Sequence, residues 1–249
     1  MSLRELVAYL DQYLDIHGFD DRSNNGLQVE GSDEVRRVAF AVDASLEAFD
    51  KAAAAGAQVL IVHHGLFWGE PIMVTGVHRR RLDLLLRRGL SLYGAHLPLD
   101  AHPEVGNNSE LARLLGLEPS GGFAAYRGRP VGLLATAEAG VTLEELRRRL
   151  SQALGSEARV WPFCERARRI ALLTGSAVSA LPEAIAMGAE ALVCGELAHM
   201  VYFAAKEASL GVVFGGHYQT ETLGLKALMR HLSERYGLET VWVEVPTGL

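Results

Sequence analysis

The sequence predicts an α/β fold of two domains, each with a largely parallel or mixed sheet flanked by helices. Short runs rich in β-branched residues alternate with longer stretches of helical pattern, as expected for strands connected by helices. A length of 249 residues, 49% of them hydrophobic and 22% charged, is sufficient for one large core or two smaller ones. The Gly- and Pro-rich stretch EPSGGFAAYRGRP at 118–130 interrupts the alternation. It predicts a boundary near residue 127, and therefore domains at 1–126 and 127–249.

The first half begins with MSLRELVAYLDQYL, in which acidic residues and arginine are spaced among leucines, so this segment predicts an amphipathic helix. The stretch SNNGLQVEG at 23–31 is interpreted as a simple turn, or alternatively as a loop over a functional site. Apolar, β-branched runs predict strands at 35–43, 58–62 and 90–96. Runs of alanine, leucine and arginine predict helices at 45–56, 78–89 and 107–117.

The second half continues the same alternation. Strands are predicted at 129–136, 168–175, 189–195, 210–216 and 239–245. Helices are predicted at 142–155, 179–188, 197–209 and 222–237. Thr142 is the expected N-cap of the first of these helices, because its hydroxyl can accept a hydrogen bond from the first turn.

Charge and cysteine content exclude several classes of protein. A net charge of −6 disfavours a protein whose main ligand is nucleic acid. The basic stretch that contains Arg79–Arg81 and Arg87–Arg88 is therefore interpreted as a solvated helix face rather than a DNA-binding surface. Cys164 and Cys194 are interpreted as core residues rather than a disulfide framework. Because no signal-peptide pattern or membrane-length apolar run is visible, the sequence predicts a cytoplasmic protein without membrane contact.

Three predicted strands end in residues that can bind metal ions. The residues are His63 and His64, then His96 and Asp100, and then His217 and Glu221. In open α/β sheets, functional side chains collect just beyond the carboxyl ends of strands. Imidazole and carboxylate ligands suit Zn, Mn, Fe, Co or Ni. Adjacent residues in a strand point to opposite faces, so His63 and His64 can serve one site only where the backbone turns.

Other polar and aromatic residues have simpler interpretations. A lone histidine is more often a hydrogen-bonded structural residue than a ligand. This interpretation is given to His17, His78, His102, His199 and His231. Asp43 is interpreted as an N-cap of the following helix in preference to a further ligand. Glu196 lies where it can reach a ligand, and Phe67 and Trp68 either line the site or pack in the core, with packing expected for at least one.

Five motifs occur in order along the chain: NNGLQVEG, VHHGLFW, AHLPLDAH, CGELAH and GGHYQTE. As a set they resemble the NIF-three-like family, whose members are also called GTP cyclohydrolase 1 type 2 homologues. The resemblance spans roughly residues 20 to 225. It implies two related α/β domains with a dinuclear metal site in the cleft between them, and a ring-like homohexamer. The implied ligands are His63, His64, Asp100, His217 and Glu221, with Glu221 bridging two ions and His96 beside them as a proton-handling group.

The functional expectation is a hydrolase that uses two divalent metal ions per chain. A metal-bound hydroxide would attack GTP or another nucleotide-like or small-molecule substrate, with His96 and Glu221 as catalytic residues. No motif in the sequence indicates recognition of a guanine or a triphosphate. Neither a P-loop lysine nor a GxGxxG turn is present. The alternative is a ring-shaped, non-enzymatic metal-binding or regulatory protein that acts through a protein partner.

Overall fold

The computed structural model describes residues Met1 to Leu249, which form two compact units. The first domain contains residues 1–99 and 225–245, and the second contains 100–224 and 246–249. This division differs from the expected boundary near residue 127. The Gly- and Pro-rich stretch that suggested the boundary is an antiparallel hairpin inside the second domain. The chain then returns to the first domain because its last strand pairs there.

The first domain is built on a five-stranded sheet. Its strands are β1 (Gly26–Val29), β2 (Arg37–Asp43), β3 (Val59–His64), β4 (Ser91–Gly94) and β11 (Glu239–Trp242). The strand order is β1-β4-β3-β2-β11, and only the β1–β4 pairing is antiparallel. The helices are α1 (Leu3–Tyr13), α2 (Leu46–Ala54), α3 (Gly76–Arg88), α4 (Leu97–Ala101) and most of α9 (His217–Tyr236). Parallel pairing of β2, β3 and β4 places their carboxyl ends at one edge of the sheet.

The second domain is built on a six-stranded mixed sheet. Its strands are β5 (Glu118–Tyr126), β6 (Arg129–Thr142), β7 (Arg159–Trp161), β8 (Arg166–Ser176), β9 (Ala191–Glu196) and β10 (Gly211–Phe214). The order is β5-β6-β8-β9-β10-β7, in which β8, β9 and β10 are mutually parallel. The helices are α5 (Asn107–Leu115), α6 (Leu143–Leu154), α7 (Leu181–Ala186) and α8 (Tyr202–Glu207). Short 3-10 turns lie at Ile16–Gly18 and His199–Val201.

Each domain has its own apolar core. The central strands are buried in it, and their sequences are therefore continuous apolar runs. In the first domain, Leu60, Val62 and Leu92 of the sheet belong to a buried cluster with Phe49 of α2. In the second domain, Leu146 and Leu150 of α6 belong to a buried cluster with strand residues. None of the nine helices has the combination of length and hydropathy that a bilayer-spanning segment requires.

The two predicted helix caps had different outcomes. Thr142 caps α6 as expected, because its Oγ1 accepts a hydrogen bond of 3.1 Å from the amide of Glu145. The expectation that Asp43 caps α2 is wrong. Ser45 is the cap, with its Oγ 3.1 Å from the amide of Ala48, whereas Asp43 is the last residue of β2. Asp43 pairs in register with His64 on β3, so its carboxylate faces an imidazole instead of a helix terminus.

Candidate metal centre

The first domain brings three of the expected site histidines together. His63 and His64 are the last two residues of β3, and His96 follows β4, its neighbour in the sheet. The ring centroids lie 4.8 Å apart for His63 and His64, 5.0 Å for His63 and His96, and 5.7 Å for His64 and His96. One ligand atom from each ring lies within 4.8 Å of the others. We call His63, His64 and His96 the three-histidine cluster.

Each ring of the three-histidine cluster is oriented through its Nδ1 atom. The Nδ1 of His63 is 2.9 Å from the carbonyl oxygen of Ala95, and that of His64 is 2.9 Å from Asp43 Oδ1. The Nδ1 of His96 is 2.9 Å from Asp21 Oδ2. A carbonyl and an ionised carboxylate can only accept, so each Nδ1 must be the donor. In a neutral ring, Nε2 then carries the lone pair that a metal ion requires.

Asp21 is the more deeply buried of the two carboxylates, with a side chain that is 2% exposed. Burial opposes its ionisation, but hydrogen bonds from His96, Asn25 and the amide of Ser23 outweigh this and lower the pKa of Asp21 to about 2. The carboxyl group is therefore ionised at neutral pH. The indole of Trp68 lies beside the same cluster, 5.0 Å from the His96 ring and at 73° to it.

The second domain places His217 and Glu221 together on the first turn and a half of α9. His217 Nε2 is 3.1 Å from Glu221 Oε1, and His217 Nδ1 is 2.9 Å from Glu196 Oε1. The imidazole thus has a carboxylate on each nitrogen. The hydrogen bond with Glu221 is the largest influence and, despite the opposing effect of burial, the two glutamates raise the pKa of His217 to about 9. We call His217, Glu221 and Glu196 the His–Glu cluster.

Gly175, at the end of β8, allows the His–Glu cluster to lie against the backbone. Its φ of +65° is in the left-handed region, which favours glycine. A Cβ atom at this position would lie 2.2 Å from Glu221 Oε1 and 3.3 Å from His217 Nε2. A residue with a side chain would therefore displace the carboxylate.

Asp100, the remaining expected ligand, is held by a buried polar network in the second domain. Its Oδ1 accepts hydrogen bonds from Asn107 Nδ2 at 2.8 Å and from Thr174 Oγ1 at 3.3 Å. Asn108 joins the network, because its Oδ1 accepts from the amide of Thr174 at 2.9 Å and its Nδ2 donates to the carbonyl of Asp100 at 3.2 Å. Both asparagines are fully buried. These hydrogen bonds fix the position of the Asp100 carboxylate.

Several of the simpler sequence interpretations are confirmed. His102 Nδ1 accepts hydrogen bonds from the amides of Glu104 and Val105, and His231 bonds to the hydroxyl of Tyr9. Phe67 packs against the core of the first domain. The sequence did not identify Asp21, Asn107 or Thr174. The only available signal was the presence of short polar residues beside the histidine motifs.

A sequence model of the family described as Duf34/NIF3 (NGG1p interacting factor 3) matches residues 1–247. The chain belongs to the Duf34/NIF3 family. The resemblance stated from the five motifs is therefore confirmed. A relative from Archaeoglobus fulgidus is 46% identical over 250 residues, and one from Pyrococcus abyssi is 43% identical over 251 residues. Both alignments cover the whole of both chains, and both relatives are named GTP cyclohydrolase 1 type 2 homolog.

Solved structures of other proteins share the fold. The crystal structure of TTHA1606 from Thermus thermophilus is 44% identical and covers 100% of both chains with a TM-score of 0.91. Reduced HcgD from Methanocaldococcus jannaschii is 28% identical and covers 98% of both chains with a TM-score of 0.86. The α/β fold predicted from the strand–helix alternation is thus confirmed. The His and Glu clusters of this Duf34/NIF3 protein are of a kind that could bind a metal ion.

Proposed function

We propose that this Duf34/NIF3 protein is a metal-dependent hydrolase that binds two divalent ions per chain. The ligands are His63, His64, Asp100, His217 and Glu221, and His96 handles a proton. The observation that carries the proposal is the common orientation of four histidines. His63, His64, His96 and His217 each have Nδ1 at 2.9 Å from an oxygen acceptor. Metal-binding histidines are held in this manner, with the second ring nitrogen directed at the ion.

The donor set fits a borderline divalent cation. Imidazole nitrogens combined with carboxylate oxygens are accepted by Zn, Mn, Fe, Co and Ni, whereas Mg and Ca favour oxygen ligands alone. Five such ligands are fewer than two ions can take, which is typical of catalytic rather than structural metal sites. We therefore favour a catalytic site over a storage site.

In the proposed reaction, the metal ions and the protein side chains have different roles. A divalent ion bound to these residues would act as a Lewis acid and lower the pKa of a water molecule toward neutrality. The chain's contribution is to hold the ligands and to move protons. His96 can exchange a proton through Nε2, because Asp21 accepts a hydrogen bond from Nδ1 and so holds the other nitrogen available. The indole of Trp68 packs edge-on against the His96 ring and adds an apolar surface beside the cluster.

The proposed substrates are nucleotides, with GTP the first to be tested. This choice rests on the names of the relatives from Archaeoglobus fulgidus and Pyrococcus abyssi. It also rests on the suitability of paired metal ions for activating water to attack phosphorus or carbon. Phosphodiesters are the next class, since the same ligands suit both reactions.

The experiment that tests the proposal compares the wild-type protein with Glu221→Gln after reconstitution with each metal. Glu234→Gln is the matched control, because Glu234 lies on the same helix and is exposed. GTP, other nucleotides and phosphodiesters are incubated with each protein, and products are identified by mass spectrometry. We expect turnover by the wild type and the control and its loss in Glu221→Gln. No turnover by a wild-type protein that retains its metal would contradict the hydrolase proposal.

A second candidate is a non-enzymatic, metal-binding protein that acts through a protein partner. It is favoured by the family description, which names an interacting factor. In either case we propose that the chain assembles into a homohexamer. Size-exclusion chromatography with light scattering tests the assembly, and a monomeric mass at micromolar concentration would contradict it.

A further inference from the structure

Residues 21–28, which end in β1, contact both turns that carry the three-histidine cluster. On the turn after β3, Gln28 Oε1 accepts a hydrogen bond of 2.7 Å from the amide of Leu66, and Asn24 Oδ1 accepts one of 2.9 Å from the amide of Gly69. The amide of Asn24 also donates to the carbonyl of Phe67 at 2.9 Å. These three bonds fix the backbone directly after His63 and His64.

The same segment also fixes the turn after β4. Asp21 Oδ2 accepts hydrogen bonds from His96 Nδ1 at 2.9 Å and from the amide of Leu97 at 3.2 Å. Asn25 Oδ1 accepts one of 2.7 Å from the amide of His96, and Asn25 Nδ2 donates to Asp21 Oδ2 at 2.9 Å. Both the ring and the backbone of His96 are therefore held by one short segment.

The packing around Gln28 is close enough to exclude other side chains. A Cβ atom at Gly65 would lie 2.2 Å from Gln28 Nε2, and one at Gly94 would lie 2.8 Å from it. Glycine at these two positions permits the amide side chain to lie between the ends of β3 and β4. A simple turn would satisfy mainly its own backbone groups. Here the side chains instead satisfy donors of the two histidine-bearing turns.

We infer that residues 21–28 are a positioning clamp that sets the orientation of the three-histidine cluster, with Asp21 as the positioning carboxylate of His96. The part of this inference that concerns metal affinity rests on the proposed function, and the part that concerns ring orientation does not. The clamp keeps Nδ1 of His96 protonated and directs Nε2 toward the other two rings. Without it, the rings would have to be ordered at the moment of metal binding, which weakens binding.

The test uses Asp21→Asn in the full-length chain, with Asp50→Asn as the matched control. Asp50 is an exposed carboxylate on α2 of the same domain. Long-range ¹H–¹⁵N NMR spectra of the metal-free proteins report which nitrogen of each histidine ring is protonated. Competition with a chromophoric chelator then gives the dissociation constant for Zn²⁺ and Co²⁺. Nuclear magnetic resonance distinguishes positioning from general stability, because loss of stability alone does not change a ring tautomer.

We expect the Nδ1-protonated form of His96 in the wild type and the control, and a mixture of tautomers in Asp21→Asn. Metal affinity should fall by about 10-fold in Asp21→Asn, because a displaced His96 ring no longer packs beside the rings of His63 and His64, the proposed ligands. If Asp21→Asn does not fold, Asn25→Ala removes the acceptor for the amide of His96 and should give a smaller change in the same direction.

The possible results separate the clamp from the proposed function. If the wild type binds no metal but the tautomer of His96 depends on Asp21, the clamp stands and the hydrolase proposal fails. If the wild type binds metal and Asp21→Asn has the same tautomer and an affinity within twofold, the clamp is overturned. If both the tautomer and the affinity change in Asp21→Asn alone, the inference is supported in full.

Discussion

The three-histidine cluster and the His–Glu cluster stabilise imidazole rings in different ways. In the three-histidine cluster, each Nδ1 has one oxygen acceptor, and the rings are neighbours of one another. In the His–Glu cluster, one imidazole lies between two carboxylates, which raise the pKa of His217 to about 9. The first cluster therefore presents lone pairs in the neutral state, whereas His217 must lose a proton before its Nε2 can bind a cation.

The largest effect should come from removing a ring of the three-histidine cluster. We expect His64→Ala to weaken Zn²⁺ binding by more than about 100-fold, because the substitution removes a proposed ligand and does not merely reorient it. His17→Ala is the control, since the side chain of His17 is 85% exposed. Isothermal titration calorimetry checks the difference, and equal affinities would exclude His64 as a ligand.

A backbone substitution tests the His–Glu cluster. Gly175→Ala should destabilise the protein by about 2–4 kcal/mol, which combines the left-handed φ with displacement of the Glu221 carboxylate. Gly155→Ala provides the control, because Gly155 has a similar φ of +67° and a Cβ there would meet nothing within 4 Å. Urea unfolding of both variants measures the change in the free energy of unfolding. A Gly175→Ala variant no less stable than Gly155→Ala would show that the close approach is unimportant.

The pH dependence of stability should distinguish the two clusters. The pKa of His217 is raised from 6.5 to about 9 in the folded protein, so its ion pairs stabilise fully below pH 6.5. This contribution is lost as the pH rises through about 9. In metal-free protein, we expect the wild type to lose about 1–3 kcal/mol more than His217→Asn between pH 6 and pH 10. The free energy of unfolding is measured against pH for both proteins after chelator treatment. An equal pH dependence in the wild type and His217→Asn would contradict the charge assigned to His217.

The smallest effect on metal binding should come from substituting the half-exposed carboxylates that orient an imidazole ring. Asp43→Asn and Glu196→Gln retain an acceptor for Nδ1 of His64 and His217 but lose the charge. We expect each to weaken metal binding by about 10-fold, close to 1.4 kcal/mol. Chelator competition measures this change. Wild-type affinity in both variants would mean that the position of the ring, and not the charge behind it, determines binding.

Local patterns in the sequence were sufficient for most of the fold. The central strands are apolar runs and the helices between them have regular periodicity, so their order and type were predicted correctly. The strands β1, β5 and β7 were missed, because β1 and β5 contain turn-forming residues and β7 has only three residues. The division into domains was not predictable locally. It depends on β11 pairing with β2, about 200 residues earlier in the chain.

The site was predicted less completely than the fold. We expected the site residues to lie at the ends of strands. This rule identified three imidazoles in the first domain and the His217–Glu221 pair in the second. The residues that orient them were missed because their contacts are distant in sequence: Asp21 and His96 are 75 positions apart, and Thr174 and Asp100 are 74 apart. Asp43 was assigned to a cap because a short polar residue before a helix has that role in most proteins.

Native mass spectrometry of the wild-type chain, titrated with Zn²⁺ under non-denaturing conditions, tests the central claim most directly. The two clusters, taken with Asp100, predict that two ions are retained per chain. They also predict that His64→Ala and Glu221→Gln retain fewer ions than the wild type. A wild-type chain that retains one ion or none would contradict the account of a dinuclear metal centre.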